Sequence, residues 1–357
     1  MTKPGRLTLR VYNVGFGDCC LLTFHYPVRD RHVLIDFGAS APPRSLLVGV
    51  ANDISKRCLG KLDAIVATHR HGDHIGGFAG QSGAIIRACH PDVVVQPWTE
   101  RPDADPGFSF LGEENLVNLG AVRSLQRMGL RRHYVHYGTD SGLTSVLPGV
   151  TVRVLGPPTL QQTQSIRKQR ARDCGEFWAA PKRLPAARSK LFPQARTCSP
   201  SRRLPNTRWF LSRMRAIHAG QRQEIVRELD KALNNTSVIL LIEAGNKKLL
   251  FPGDAQIESW SYALSQPGVR TWLAGVDLYK VGHHGSRNAT PKTLWNLFVK
   301  RSAVPSPRRL RTVLSTAANV YGDVPRAALV ETLKAQSDFF TTQDIEGKLY
   351  EDICMEV

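Results

Sequence analysis

Alternating hydrophobic and polar residues open the chain and predict β-strands before any helix. Residues 7–14 alternate between the two classes, and 19–24 and 32–35 read as two further strands. A helical pattern follows at 45–57, and the short apolar stretch 63–67 predicts a strand that ends at a histidine-rich run. This order of strands and helices predicts an α/β fold.

Two patterned regions flank a segment of different character. In the first region, 1–160, the later predicted elements are a helix at 75–89, a strand at 92–96, a mostly helical stretch at 111–128 and a strand at 150–155. In the second region, 234–357, they are a hairpin of 236–243 and 247–251, a helix at 257–264, a strand at 276–281, a helix at 291–299, a strand at 312–315, a helix at 325–335 and a terminal hairpin. The segment 161–233 between them is predicted to be an insertion that ends in a helix at 221–233.

The insertion carries most of the excess positive charge. The whole chain has 48 basic and 30 acidic residues, a net charge of +18, and residues 161–220 alone hold fourteen Lys or Arg against two acids. Five prolines in the same stretch favour a partly ordered arm over a packed core. Such a field attracts polyanions, namely nucleic acid or an acidic membrane surface.

Aromatic residues interleave with these charges, and a second basic cluster follows later in the chain. The aromatic residues, which could stack on bases, are Phe177, Trp178, Phe192, Trp209 and Phe210. The second cluster, expected near the site, consists of Lys300, Arg301, Arg308, Arg309 and Arg311. We therefore expect a nucleic-acid partner; a solvated arm or a segment that binds a protein partner or a second copy is the alternative.

Cysteine use and hydropathy indicate a cytoplasmic protein. No stretch approaches the ~20 apolar residues of a membrane helix, and the first ten residues contain no apolar signal-peptide core. The seven cysteines are odd in number and form no Cys-x-x-Cys pair, which argues against a disulfide framework and a thiolate zinc site. Reduced thiols are the simpler interpretation.

The chemistry-bearing run lies between the strand at 63–67 and the next helix. His69, His71, Asp73 and His74 fall within six residues. Imidazole and carboxylate ligands suit zinc, manganese or iron. In such a loop, residues 69 and 71 can point to one side and residues 73 and 74 to the other. This spacing favours two adjacent metal ions.

These residues match His-x-His-x-Asp-His, the hallmark of the metallo-β-lactamase superfamily, which the chain resembles. Four further segments are similar to motifs of its ComEC-type branch, which includes the soluble domain of the DNA-uptake competence protein: 13–18, 234–237, 251–254 and 280–286. The resemblance covers roughly 7–156 and 234–320 and leaves out the insertion. It implies a four-layer αββα sandwich, with 1–160 and 234–357 as its two halves and the metals at one edge between the sheets.

The resemblance also implies roles for individual residues. His69 and His71 would bind a first divalent metal, zinc or manganese, and Asp73 and His74 a second. Asp254 would bridge the two ions. One histidine of the 283/284 pair would complete the second site; we favour His283, the first after its strand, and expect His284 to face substrate.

Further residues around this site are expected to act on substrate or to complete the ligand set. Asp18 is a candidate for a further metal ligand, although capping of its glycine turn is an equal alternative. The histidines that could take that place instead are His90, His133, His136 and His218. The residues expected to contact substrate or take part in catalysis are Asp73, His284, Lys280, Ser286, Arg287, Asn288 and Asn235.

Together these observations predict a metal-dependent hydrolase. A nuclease or phosphodiesterase that uses a hydroxide activated by two metals is the first choice, because the insertion is strongly basic. A hydrolase of a small lactone, thioester, lactam or phosphoester is one alternative. A nuclease effector of a defence system, active only with a partner, is another.

Overall fold

The computed structural model describes residues 3–102, 118–159, 162, 234–318, 320 and 322–357. The basic insertion, its aromatic residues and its predicted helix therefore lie outside the described residues, as does the first part of the predicted helix at 111–128. Within the described ranges, no helix is both long and apolar enough to cross a membrane.

The first sheet has seven strands. Its members are β1 (Arg6–Tyr12), β2 (Cys19–His25), β3 (Arg31–Phe37), β4 (Ala64–Val66), β5 (Val93–Pro97), β6 (Arg131–Val135) and, from the other end of the chain, β13 (Tyr350–Glu356). Their order is β13-β1-β2-β3-β4-β5-β6. Strands β3 to β6 are parallel, whereas β13, β1, β2 and β3 pair antiparallel.

The second sheet has six strands. They are β7 (Val150–Gly156), β8 (Ile239–Ala244), β9 (Lys247–Phe251), β10 (Leu278–Lys280), β11 (Arg311–Leu314) and β12 (Asp338–Thr341). Their order is β12-β11-β10-β9-β8-β7, with β9 to β12 parallel and β7 and β8 antiparallel. Each sheet thus has a parallel half, and parallel strands begin at one edge and end at the other. We call the side at which the parallel strands begin the amino edge, and the side at which they end the carboxyl edge.

Helices cover the outer face of each sheet. Those of the first half are α1 (Arg44–Arg57), α2 (Gly72–Ile75), α3 (Gly80–Ala88) and α4 (Leu119–Gln126), and those of the second are α5 (Ile257–Ser265), α6 (Val269–Ala274), α7 (Lys292–Leu297) and α8 (Ala327–Gln336).

Strand residues alternate between two buried layers, which produces the sandwich. In β2, Cys20 and Leu22 join the core shared by both sheets, while Cys19 and Leu21 join the core under α1, α3 and α4. In the second sheet, Leu240 packs in the shared core, and its neighbour Leu241 packs under the helices of the second half. Because both faces of each sheet are covered, the strands are apolar at consecutive positions. The predicted four-layer αββα sandwich is confirmed.

Most predicted elements are present, and the differences have physical causes. The helix predicted at 75–89 is broken into α2, a 3₁₀ turn and α3, because Gly76, Gly77 and Gly80 interrupt it. The predicted terminal hairpin is wrong, because β12 pairs with β11 while β13 pairs with β1 in the other sheet. Strand β6 and helix α6 were not predicted; β6 is an edge strand that begins with two exposed arginines, which hides its pattern.

Candidate metal centre

The histidine run forms a tight loop at the carboxyl edge of the first sheet. It follows β4, and His71 precedes the single-turn helix α2 that carries Asp73 and His74. The side chain between the two leading histidines, Arg70, is held by two hydrogen bonds to the buried Glu100, at 2.6 and 2.9 Å. Asn118 donates to the backbone carbonyl of Arg70 at 3.0 Å. The loop is therefore fixed from the side facing away from its histidines.

Asp36, at the end of β3, orients the histidine loop through hydrogen bonds. Its carboxylate accepts hydrogen bonds from the backbone amide and the hydroxyl of Thr68, at 2.7 and 2.8 Å. It also lies 2.8 Å from Nδ1 of the fully buried His74. A carboxylate at one ring nitrogen leaves the other, Nε2, free to bind a metal.

Asp254 brings the second sheet to this loop. It follows β9, and its backbone amide donates to the hydroxyl of Ser237 at 3.1 Å. One carboxylate oxygen lies 3.0 Å from His74 Nε2, and the other lies 3.8 Å from His69 Nε2. His71 Nδ1 is 3.0 Å from the same His69 nitrogen. The carboxyl edges of the two sheets therefore meet here, with Asp254 between the two parts of the histidine run.

His283 and His284 occupy a strained turn after β10. Both residues have positive φ, 45° and 50°, a conformation that residues other than glycine rarely adopt. His284 is fully buried; its Nδ1 donates to the Ser315 carbonyl at 3.0 Å, and its Nε2 lies 3.2 Å from Asp73. His283 is partly exposed, with Nε2 3.6 Å from Asp254. Only His284 shares a group of close ligand atoms with Asp73 and His74 in the described part of the chain.

The donor atoms fit cations. His74 Nε2 and Asp254 Oδ1 are buried and face each other, yet neither makes a hydrogen bond of acceptable geometry. Among the described residues, one group of close ligand atoms comprises His69, His74 and Asp254, and a second comprises Asp73, His74 and His284. A third comprises Asp18, Asp36 and His74. Unpaired buried polar atoms are costly unless something binds them. Overlapping ligand groups of N and O atoms suit divalent metals.

Burial and neighbouring charges shift the pKa values of the histidines and carboxylates at the site. Burial lowers the pKa of His69 well below its usual value. Burial would also lower the pKa of His74. The carboxylates of Asp254 and Asp36 outweigh burial and hold the pKa of His74 well above its usual value. Burial would raise the pKa of Asp254, but His74 and His283 hold it well below its usual range. Asp254 is thus kept ionised, as cation binding requires, whereas a metal would have to displace the proton that the raised pKa keeps on His74.

Asp18 and Lys280 form an ion pair beneath the site. Lys280 Nζ lies 2.8 Å from the Asp18 carboxylate, and both side chains are buried. The Asp18 amide donates to the backbone carbonyl of Asp73 at 2.8 Å. Asp18 Oδ2 is 3.9 Å from His74 Nδ1, the nitrogen that faces Asp36. The two residues thus support the loop, and the proposed ligand role of Asp18 and catalytic role of Lys280 stay predictions.

The residues expected to contact substrate lie in two different parts of the structure. Ser286 donates to the side-chain oxygen of Asn288 at 3.2 Å, and Arg287 between them is half-buried in the turn after His284. Asn235 is bound instead to the start of α5, donating to Glu258 at 3.2 Å.

Of the four further histidines, none that the structure describes joins a group of close ligand atoms. His90 is exposed at the start of β5, at the amino edge. His136 contacts the carbonyl of the adjacent Tyr137 at 3.0 Å. His133 lies on β6, and His218 lies outside the described residues.

The second basic cluster was expected near the site, and that expectation is wrong. Lys300 to Arg311 lead into β11 at the amino edge, whereas the histidines follow strand ends at the carboxyl edge. Lys300 binds Asp277 at 2.6 Å, and Arg311 pairs with Asp338. Arg309 donates to the Ala335 carbonyl at 2.8 Å. Lys300, Arg309 and Arg311 are therefore used inside the fold, because they join loops and strand starts.

Sequence reasoning missed the parts played by Asp36 and Thr68. Neither residue is assigned a role from the sequence. The usable signal is that β3 and β4 are adjacent and parallel, so a carboxylate that ends one strand meets the loop that ends the other.

Comparisons with known proteins leave the family open. No protein-family model matches the chain, and no curated protein matches it. A crystal structure of a protein provisionally described as a metal-dependent hydrolase, from Parabacteroides distasonis ATCC 8503, is similar at 12% identity, with a TM-score of 0.38 over 93% of this chain and 92% of that one. A variant of the CmlA β-hydroxylase is similar at 13% identity and a TM-score of 0.38 over 97% of this chain. The chain spans about half of that protein, 54%.

Proposed function

We propose that this chain is a metal-dependent hydrolase of the metallo-β-lactamase type, ComEC-type branch, that binds two divalent ions, zinc or manganese. The observation that carries the proposal is the position of Asp254, 3.0 Å from His74 and 3.8 Å from His69. A carboxylate with one oxygen toward each half of a histidine cluster suits a bridge between two ions. His69 and His71 with Asp254 would hold one ion.

The contacts favour His284 over His283 as the ligand that completes the second ion's set with Asp73 and His74. The Ser315 carbonyl fixes Nδ1–H of His284 and leaves Nε2 directed at Asp73. His283 is the more exposed of the pair and is free to meet substrate. This reverses our sequence-based preference, and alanine variants of the two residues separate the alternatives.

Divalent ions bound at such a site lower the pKa of water and neutralise charge on the substrate. The chain's own residues supply positioning. Asp36 and the Ser315 carbonyl set the orientation of His74 and His284, and the Arg70–Glu100 pair fixes the loop between His69 and His71.

For substrate, we propose phosphodiester bonds in nucleic acid. The support is the composition of residues 161–220, with fourteen basic and two acidic residues inserted between β7 and β8. Both flanking strands belong to the sheet that supplies Asp254 and His284. Arg287, in the turn that follows His284, adds a cation beside the site.

A panel of metals and substrates tests the proposal. The metal-stripped protein is reloaded singly with manganese, zinc or magnesium and given plasmid, linear duplex, single-stranded DNA, RNA and a generic ester. We expect cleavage of a nucleic acid that depends on the metal, with binding that weakens steeply as salt rises. Hydrolysis of the ester alone would support a small-molecule hydrolase instead, and activity without metal would overturn the proposal.

A further inference from the structure

Exposed aliphatic side chains gather at the amino edge, opposite the metal centre. Val28, Leu59, Leu130, Val299 and Val304 are each between 71% and 92% exposed. Each lies in a segment that leads into a parallel strand: the first three precede β3, β4 and β6, and the two others precede β11. Because parallel strands begin at one edge, these exposed residues lie at the same end of the sandwich.

The first three belong to one continuous row of loops. Arg29, next to Val28, binds the buried Asp63 at 2.7 Å, just before β4. Lys61, two residues after Leu59, binds Asp92 before β5. The Asp92 carbonyl accepts the amide of Leu130 at 3.1 Å. These bonds hold the loops that carry the apolar side chains side by side.

Basic residues border the apolar ones. Within two positions of Val28, Leu59 and Leu130 the sequence places five basic residues and one acid; the basic ones are Arg29, Arg57, Lys61, Arg131 and Arg132. Asp63 and Asp92 pair with Arg29 and Lys61, but Arg131 and Arg132 are exposed and flank Leu130 directly. Beside the second sheet, the exposed Arg308 lies in the same loop as Val304, while Lys300, next to Val299, is paired with Asp277.

We propose that this amino edge docks on an anionic lipid surface. Aliphatic tips among cations fit a bilayer interface, where the tips enter the acyl region and the cations meet anionic headgroups. Nucleic acid fits less well, because protruding Val and Leu gain nothing from phosphate oxygens. In this orientation the metal centre, at the other edge, faces the aqueous phase.

The test is co-sedimentation of the full chain with phosphatidylcholine–phosphatidylserine vesicles, beside phosphatidylcholine vesicles alone. The variant is Leu59→Ser/Leu130→Ser, and its matched control is Val320→Ser, an exposed valine in the loop after β11 at the carboxyl edge. High salt suppresses the charge attraction of the insertion and isolates the apolar contribution. We expect the double variant to bind about tenfold or more weakly there and Val320→Ser to bind as wild type.

A second measurement locates the contact. Leu59→Trp should show fluorescence quenching by vesicles with brominated acyl chains beyond that of the native tryptophans, and Val320→Trp should show none. Unchanged melting temperatures exclude misfolding. Equal vesicle binding by the double variant and wild type would overturn the proposal, as would a loss of DNA binding or of self-association in place of vesicle binding. We expect these changes, at the edge opposite the metal centre, to leave turnover in solution as in wild type, so this outcome and that of the hydrolase test are separable.

Discussion

The two edges of the sandwich gather charged side chains in opposite ways. At the amino edge, carboxylates meet cations: Asp63 accepts from Arg29, Arg31 and the backbone of His32, and Asp277 binds Lys300. At the carboxyl edge, buried histidines and carboxylates face one another and leave ligand atoms without hydrogen bonds. Charge density alone therefore does not mark a site, whereas unpaired buried donors and acceptors do.

The largest expected effect comes from removing the charge of Asp254, at the centre of the site on the carboxyl edge. Asp254→Asn should lower metal-dependent turnover by more than about 1,000-fold, since losing even the outer partners of a metal ligand costs about 10- to 100-fold. Bound metal, measured by elemental analysis after dialysis, should fall in parallel. The matched change at the amino edge, Asp277→Asn, should leave both within about twofold. Equal losses in the two variants would remove the distinction between the edges.

The ion pair beneath the site offers a comparison in stability. Lys280→Met leaves the buried Asp18 carboxylate without its cation and should reduce the free energy of unfolding by about 3 to 5 kcal/mol. Lys300→Met breaks a more exposed pair at the amino edge and should cost about 1 kcal/mol or less. Urea denaturation of the metal-free proteins measures both. A large loss for Lys300→Met would show that exposure does not set the difference.

Variants of His283 and His284 test which of the two histidines binds metal at the carboxyl edge. His284→Ala should remove one of two bound ions and lower turnover about 100-fold, because its Nε2 faces Asp73. His283→Ala should keep both ions and chiefly weaken substrate binding. Metal stoichiometry separates the two residues, and loss of an ion in His283→Ala alone would restore our first assignment.

The smallest effect concerns a histidine of the amino edge. Burial, more than any other influence, lowers the pKa of His32 from 6.5 to about 4. The unfolded chain therefore takes up a proton at His32 before the folded one does. The resulting stabilisation is full above pH 6.5 and is lost as pH falls toward 4. At pH 5 the loss should be about 2 kcal/mol, measured by denaturation against His32→Gln, which should lack this dependence. Parallel curves for the two proteins would contradict the assignment.

Local patterns predicted the apolar strands and the histidine loop, whereas the four layers were implied by the family resemblance. Apolar strands buried on both faces leave continuous hydrophobic stretches, and His69 to His74 lie within one loop. Edge strand β6 was not predicted because its polar start resembles a loop. The pairing of β13 with β1 was not predicted because no local pattern indicates which distant strand completes a sheet.

Side-chain pairing across the sandwich could not be predicted in the same way. Asp18 and Lys280 were singled out, but their contact with each other depends on how the two sheets meet. The choice between His283 and His284 likewise depends on the turn geometry and the Ser315 carbonyl, neither of which the motif contains.

The pairing of β13 with β1 has a consequence for synthesis on the ribosome. Arg10 on β1 binds Asp352 on β13, 342 positions later, and the two strands pair along their whole length. Until β13 is made, β1 presents a free strand edge, which is a template for pairing with other chains. Pairing with β13 thus protects this side of β1 against association with other chains.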